Sequence, residues 1–237
     1  MTRSAILPAC RRTVTAVVCV LLTMLSGCSG GDEPRMTPEK TLAAAKRHLD
    51  ATSGVRIGLS TAELPANVSG LLTADGIATH DPAFTGEIKV SDKGITSDAS
   101  VVAVNGEVHA KLPFTSTFVP IDPGDYGAPD PAALMNSEGG LSALLTSAKD
   151  VEEGDQVREG EDVLNSYTAK VPGTSVSALV PSAAPSADFS ATFTVTDEDR
   201  LAKAVLSGPF YPKARETDVT YTVTFEDYGT KKTIAIP

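Results

Sequence analysis

Strict period-two alternation, broken by closely spaced turns, constrains this chain more than any other feature. In Thr85-Gly86-Glu87-Ile88-Lys89-Val90-Ser91, Ile88 and Val90 fall on one side and Glu87 and Lys89 on the other. Asp92-Lys93-Gly94 reads as a turn, 95–104 as the next strand, Asn105-Gly106 as a tight hairpin and 107–112 as the returning strand. The pattern resumes late in the chain. Phe189, Ala191, Phe193 and Val195 alternate with Ser190, Thr192, Thr194 and Thr196, and Val219, Tyr221, Val223 and Phe225 alternate with threonines. Asp197-Glu198-Asp199 turns the chain into a strand over 201–206. Turns this close imply antiparallel neighbours, because parallel strands need long crossovers. Alternation gives a sheet one apolar face and one wet face.

Helical signals are few. Thr37 is a good cap residue, Pro38 suits a first turn and Glu39 favours the positive end of a helix. Leu42, Ala45 and Leu49 then form an apolar stripe, with Gly54 after the end. Residues 121–131 are a loop rich in Pro, Gly and Asp. Asp130-Pro131 can start a helix, and Leu134, Leu141, Leu144 and Leu145 recur at helical spacing around a Gly139-Gly140 break. The acidic stretch 150–162 reads as turns, 163–171 as a strand and 174–180 as a short helix. The expectation is an α+β domain of about ten strands and about three helical segments. So few short helices do not fill the concave side of such a sheet. Either the sheet closes or a hollow remains, and a chain with no Trp and only 5% aromatic residues is poorly supplied to fill one.

The N-terminus carries an export address. Arg3, Arg11 and Arg12 precede an apolar run over 14–25, which ends in Leu25-Ser26-Gly27-Cys28. This is the layout of a secretory signal, closed by a bacterial lipobox whose cysteine is diacylated and becomes the new N-terminus. The run is too short for a transmembrane helix, which needs about 20 apolar residues. The expected organisation is therefore a signal peptide at 1–27, a lipidated tether at 28–36 and one domain at 37–237. The polar tether from Cys28 to Thr37 reaches about 30 Å when extended, at about 3.3 Å per residue. The protein is expected at the cell membrane, lipid-anchored on its extracytoplasmic face.

Charge and cysteine content narrow the function. Removing the leader takes three of the 20 basic residues and none of the 30 acidic ones, leaving a net charge of −13. No basic stripe remains to neutralise phosphates, which argues against nucleic acid and against electrostatic docking on an anionic leaflet. Cys10 and Cys19 leave with the signal and Cys28 carries lipid, so the expected mature domain has no thiol for a disulfide.

Catalytic and metal signatures do not emerge. His48, His80 and His109 fall on a helix, a turn and a strand with no ligand spacing. The chain has no Gly-x-Ser-x-Gly elbow and no Gly-rich phosphate loop. The acidic run starting at Glu152-Glu153 lacks the order of a calcium loop and reads as a solvated face. The chain is expected not to be an enzyme and to need no metal or cofactor.

The chain resembles the actinobacterial LppX/LprA/LprF/LprG-type lipoproteins. The resemblance rests on the lipobox and tether, on Thr85-Gly86-Glu87-Ile88-Lys89-Val90, and on the hairpin Val101-Val102-Ala103-Val104-Asn105-Gly106. It continues through Asp130-Pro131-Ala132-Ala133-Leu134 with Gly140-Leu141 and Leu144, and ends with Asp197 through Leu206, which contains Leu201-Ala202-Lys203-Ala204. The family's usual Trp after the hairpin is replaced by Thr117-Phe118. The resemblance implies a half-barrel, a strongly curved antiparallel sheet wrapped over a few helices with a central hydrophobic cavity. It also implies carriage of acylated cargo, a triacylated lipid or glycolipid, from the inner membrane towards the outer envelope. A membrane exporter is the implied partner, and the protein is expected to be monomeric. Ile88 aligns with a cavity-lining strand position of the family.

On the sheet side the expected lining is Ile88, Val90, Val101, Ala103, Phe193, Val195, Val223 and Phe225. On the helical side it is Leu134, Leu141, Leu144 and Leu145. Each of these residues would equally serve as ordinary core. Strand parity leaves open whether Val101 and Ala103 or Val102 and Val104 face inward. The alternative function is an envelope interaction lipoprotein with a filled core, binding another protein through its acidic face.

Overall fold

The alternating segments pair into a single antiparallel sheet. The computed structural model describes residues 36–237 apart from 67, 93 and 161. The signal segment, Cys28 and the tether up to residue 35 lie outside the described residues. Met36–Pro237 form one compact unit.

Helix α1 (Pro38–Ala51) starts where the Thr41 N–H donates to the Thr37 carbonyl at 3.0 Å, and Thr37 itself is extended, with no side-chain cap bond. Hydrogen bonds from its own backbone and from Thr37 hold the Glu39 carboxyl below the usual carboxylate range. Leu42, Ala45 and Leu49 are buried, as their spacing predicts.

Strands β1 (Gly54–Ser60), β2 (Gly70–Thr79), β3 (Ala83–Asp92), β4 (Ile95–Val104), β5 (Glu107–Lys111) and β6 (Val119–Pro120) form a meander. Asn105 and Gly106 both take positive φ, 52° and 85°, as a two-residue hairpin turn requires. The chain then crosses through 3-10 turns at Pro123–Tyr126 and Pro131–Ala133 and helix α2 (Leu141–Ser147). Asp130 caps the second turn by accepting from the Ala132 N–H at 2.9 Å. The remaining elements are β7 (Lys149–Glu153), β8 (Val157–Glu159), β9 (Asp162–Pro172), helix α3 (Gly173–Leu179), β10 (Asp188–Val195), β11 (Leu201–Gly208) and β12 (Val219–Glu226).

The sheet order is β6-β5-β4-β3-β2-β1-β12-β11-β10-β9-β7, with β8 paired to β9 off this path. The last strand thus joins the first, and the two halves of the chain meet in the middle of the sheet. The sheet is curved but not closed, with β6 and β7 at its edges. The described strands number twelve rather than about ten. The difference lies partly in the acidic stretch, which forms β7 and β8 instead of turns alone. The charged side chains of β7, Lys149, Asp150, Glu152 and Glu153, are exposed at an edge, where charge discourages pairing with another chain.

Register defines rows across the inner face. One row runs Val223–Leu59–Ala74–Ile88–Ala99. Another runs Val55–Ala78–Phe84–Ala103–Val108. Between them Gly76 faces Gly86 directly. A Cβ on Gly86 would lie 2.3 Å from the Asp75 carbonyl, and one on Gly76 would lie 2.5 Å from the Phe84 ring. Only glycine permits that approach, and the Phe84 ring occupies the space over the pair.

The helices cover the two halves of the sheet unequally. Helices α1, α2 and α3 pack mainly on β9, β10 and β11, whereas the main contact on β2 to β5 is the Pro131–Ala133 turn. Helices α1 and α2 are tied by polar contacts: Lys46 Nζ donates to Ser142 Oγ at 3.2 Å and Ser142 Oγ donates to Asp50 Oδ1 at 2.6 Å. His80 Nε2 lies 3.2 Å from the Leu49 carbonyl and fixes the end of α1 to the end of β2. The sheet therefore has an end sealed by α1 and an end that is not.

Candidate functional site

The loosely covered half encloses a hollow of about 350 Å³. That volume sits at the small end of the range for ligand pockets. Its floor is the row Val223–Leu59–Ala74–Ile88–Ala99, extended by Leu71, Val90, Val101 and Ala110. Its roof is Leu134, Leu141 and Leu144, with Val176, Leu179 and Val180 of α3 and its exit. Loop 121–131 closes one side through Ile121, Pro123, Tyr126, Pro129 and Pro131. Among the described residues, none that lines the hollow is charged. Apolar walls of this kind take hydrocarbon and exclude an ionic head group.

Seven of the expected residues meet around this space: Ile88, Val90, Val101, Leu134, Leu141, Leu144 and Val223. Five expected residues do not line it. Phe193 and Val195 are 1% and 0% exposed, because they lie on β10 beneath the helices. Leu145 shares the α2 face of Ser142, three residues earlier, which turns toward α1. Ala103 is enclosed between its cross-strand partners Phe84 and Val108, whose larger side chains reach the hollow in its place. Phe225 pairs with Ile57, one step nearer the sealed end than Val223. The parity of β4 is resolved: Val101 and Ala103 face inward, and Val102 lines a polar depression on the outer face with the Arg56–Asp75 ion pair.

Sequence reasoning missed Phe210 and Tyr211, which arrive from the irregular segment between β11 and β12. It also missed Tyr221, which two-residue parity from Val223 would have supplied. Leu71 faces inward only because the β2–β3 register shifts between Leu71 and Thr73, and no motif announces that bulge.

The polar feature of the wall is a tyrosine pair. The hydroxyls of Tyr211 and Tyr221 lie 2.5 Å apart, and Tyr221 donates to the Leu71 carbonyl at 2.9 Å. Tyr221 stands on β12 and Leu71 on β2, so this bond spans β1 and fastens the bulge. Burial pushes both phenols above their usual range. Tyr221→Phe leaves the Tyr211 hydroxyl and the Leu71 carbonyl without their partner. It is expected to destabilise the domain by about 1–3 kcal/mol, read as a fall of several degrees in a thermal melt. An unchanged melting temperature would count against the tie.

The family model for the LppX_LprAFG lipoproteins matches residues 37–235, and the chain belongs to this family. The lipoarabinomannan carrier protein LprG of Mycobacterium tuberculosis is 29% identical over 212 residues, covering 83% of this chain and 86% of that protein. The fold matches the crystal structure of LprF from Mycobacterium bovis with a TM-score of 0.67 at 14% identity, over 84% of this chain and 96% of that one. It matches LppX of Mycobacterium tuberculosis with a TM-score of 0.61 at 14% identity, over 84% and 98%. No described helix is long and apolar enough to cross a membrane.

Proposed function

We propose that this protein is a membrane-anchored carrier that holds the acyl part of a lipid or glycolipid in the hollow and moves it across the cell envelope. The observation that carries the reading is an uncharged, apolar space that the chain's own side chains leave unfilled. The relative named a lipoarabinomannan carrier points the same way. Diacylated Cys28 supplies the anchor and the tether the reach, on the extracytoplasmic face. The protein works as a monomer and receives cargo from a membrane exporter.

Physical chemistry gives such a protein a task. Each methylene buried from water is worth about 0.8 kcal/mol. Drawing one sixteen-carbon chain into water therefore costs on the order of 12 kcal/mol, and a triacylated cargo costs several times that. Apolar walls around the chains remove most of this barrier. The work requires no nucleophile, base or metal. A hollow of this size takes one chain first, and further chains enter as loop 121–131 moves outward.

The test is extraction. The mature protein, purified from an actinobacterial host and extracted with organic solvent, is expected to release a stoichiometric acyl lipid identified by mass spectrometry. A folded protein that releases none would favour an interaction lipoprotein binding a partner through its acidic surface.

A further inference from the structure

Several large apolar side chains stand bare in water, and most of them gather at one end of the sheet. Phe114 is 101% exposed, Ile95 73%, Val119 49%, Leu112 48% and Tyr126 36%. Leu112, Val119 and Tyr126 also line the hollow, so the apolar surface runs unbroken from its wall to its rim. Register places Ile95 at this same end, since Ile88 pairs with Ala99 in the floor and Asp92 with Ile95 beyond it.

The segment that bears Phe114 is built to present it. From residue 112 to residue 121 the sequence Leu-Pro-Phe-Thr-Ser-Thr-Phe-Val-Pro-Ile has no charge, in a chain where 21% of residues are charged. The Thr115 N–H and hydroxyl both donate to the Leu112 carbonyl at 3.0 Å, which makes a tight turn with Pro113 leading it. Phe118 folds back under the Lys111 ammonium, 5.3 Å from its ring centre, and leaves the tip to Phe114.

We propose that this tip, with Tyr126 at the rim of the hollow, enters the interfacial layer of the lipid bilayer, so that the hollow opens into lipid rather than into water. The proposal rests on the carrier reading and on the Cys28 anchor, and it names the surface from which that carrier loads. One observation, together with the anchor on which the proposal rests, favours a bilayer over a protein. Pro120 removes a backbone donor from edge strand β6, which discourages a partner strand from adding there. The tether, reaching about 30 Å, keeps one leaflet permanently within range and raises its effective concentration. The contact needs no basic residues, which suits an acidic chain, because buried aromatic and aliphatic area supplies the attraction.

Because the sequence has no Trp, Phe114→Trp introduces a single indole. The mature acylated protein carrying it is reconstituted into phosphatidylcholine vesicles with brominated acyl chains. The indole is expected to shift its emission to shorter wavelength and to lose most of it to the bromines. Val157→Trp on β8, which register puts at the opposite end of the sheet, is expected to stay unquenched. Phe114→Asp is expected to slow lipid uptake from vesicles by roughly tenfold or more, the equilibrium worth of burying one phenylalanine, with its melting temperature unchanged. An indole at 114 that stays unquenched in a protein still loaded with lipid overturns the docking and leaves the carrier standing. A quenched indole in a protein that yields no lipid does the reverse.

Discussion

Ile88→Trp is expected to abolish lipid loading while the domain stays folded. Ile88 stands in mid-floor between Ala74 and Ala99, the two smallest neighbours in its row, and its side chain projects into the hollow. An indole there has vacant volume ahead of it rather than packed atoms, so the overpacking cost of a core substitution does not arise. It buries its own apolar surface where cargo methylenes would otherwise lie. Displacing only four methylenes at about 0.8 kcal/mol each weakens binding by about 3 kcal/mol, more than about a hundredfold. Mass spectrometry of the extracted protein should find the lipid gone, and a thermal melt should find stability unchanged or raised. The new indole is the chain's single Trp, so blue-shifted emission reports that it lies inside. Normal loading with a buried indole would mean that cargo binds elsewhere.

The physics of pleated strands made the sheet legible and its filling much less so. Alternation in 85–91, 189–196 and 219–225 specified which residues share a face, and all of Ile88, Val90, Phe193, Val195, Val223 and Phe225 do face inward. Asn105-Gly106 specified a hairpin because both residues tolerate positive φ. Alternation carries no information about what covers that inner face. Val223 and its register partners Ala204 and Phe193 share one row, yet the helices seal Phe193 while Val223 borders open space. That distinction depends on long-range packing of α1 to α3 against β9–β11, which no local pattern records. The bulge at Leu71–Thr73 was hidden for a related reason. Its inserted residue shifts parity by one, and the tyrosine pair that fastens it comes from residues about 150 positions away in the chain.

Phe193→Ala separates the two kinds of inward residue. Phe193 has 1% of its surface exposed and lies in register between Ala204 and Tyr167, beneath the helices. Truncation removes a ring from packed surroundings and leaves a void that the neighbouring strands, held by ladder hydrogen bonds, close only in part. Such substitutions cost about 3–5 kcal/mol, which in a domain of this size corresponds to a fall of about 6–20 °C in melting temperature. Molecules that remain folded should keep their lipid, because the void opens under the helices and not into the hollow. Ile88→Trp and Phe193→Ala therefore predict opposite pairs of outcomes, loading lost with stability kept and stability lost with loading kept. A Phe193→Ala protein that melts within a degree of the parent but takes up a bulkier lipid would place Phe193 in a deformable wall of the hollow. It would then extend the cargo space across β10 and beneath α3.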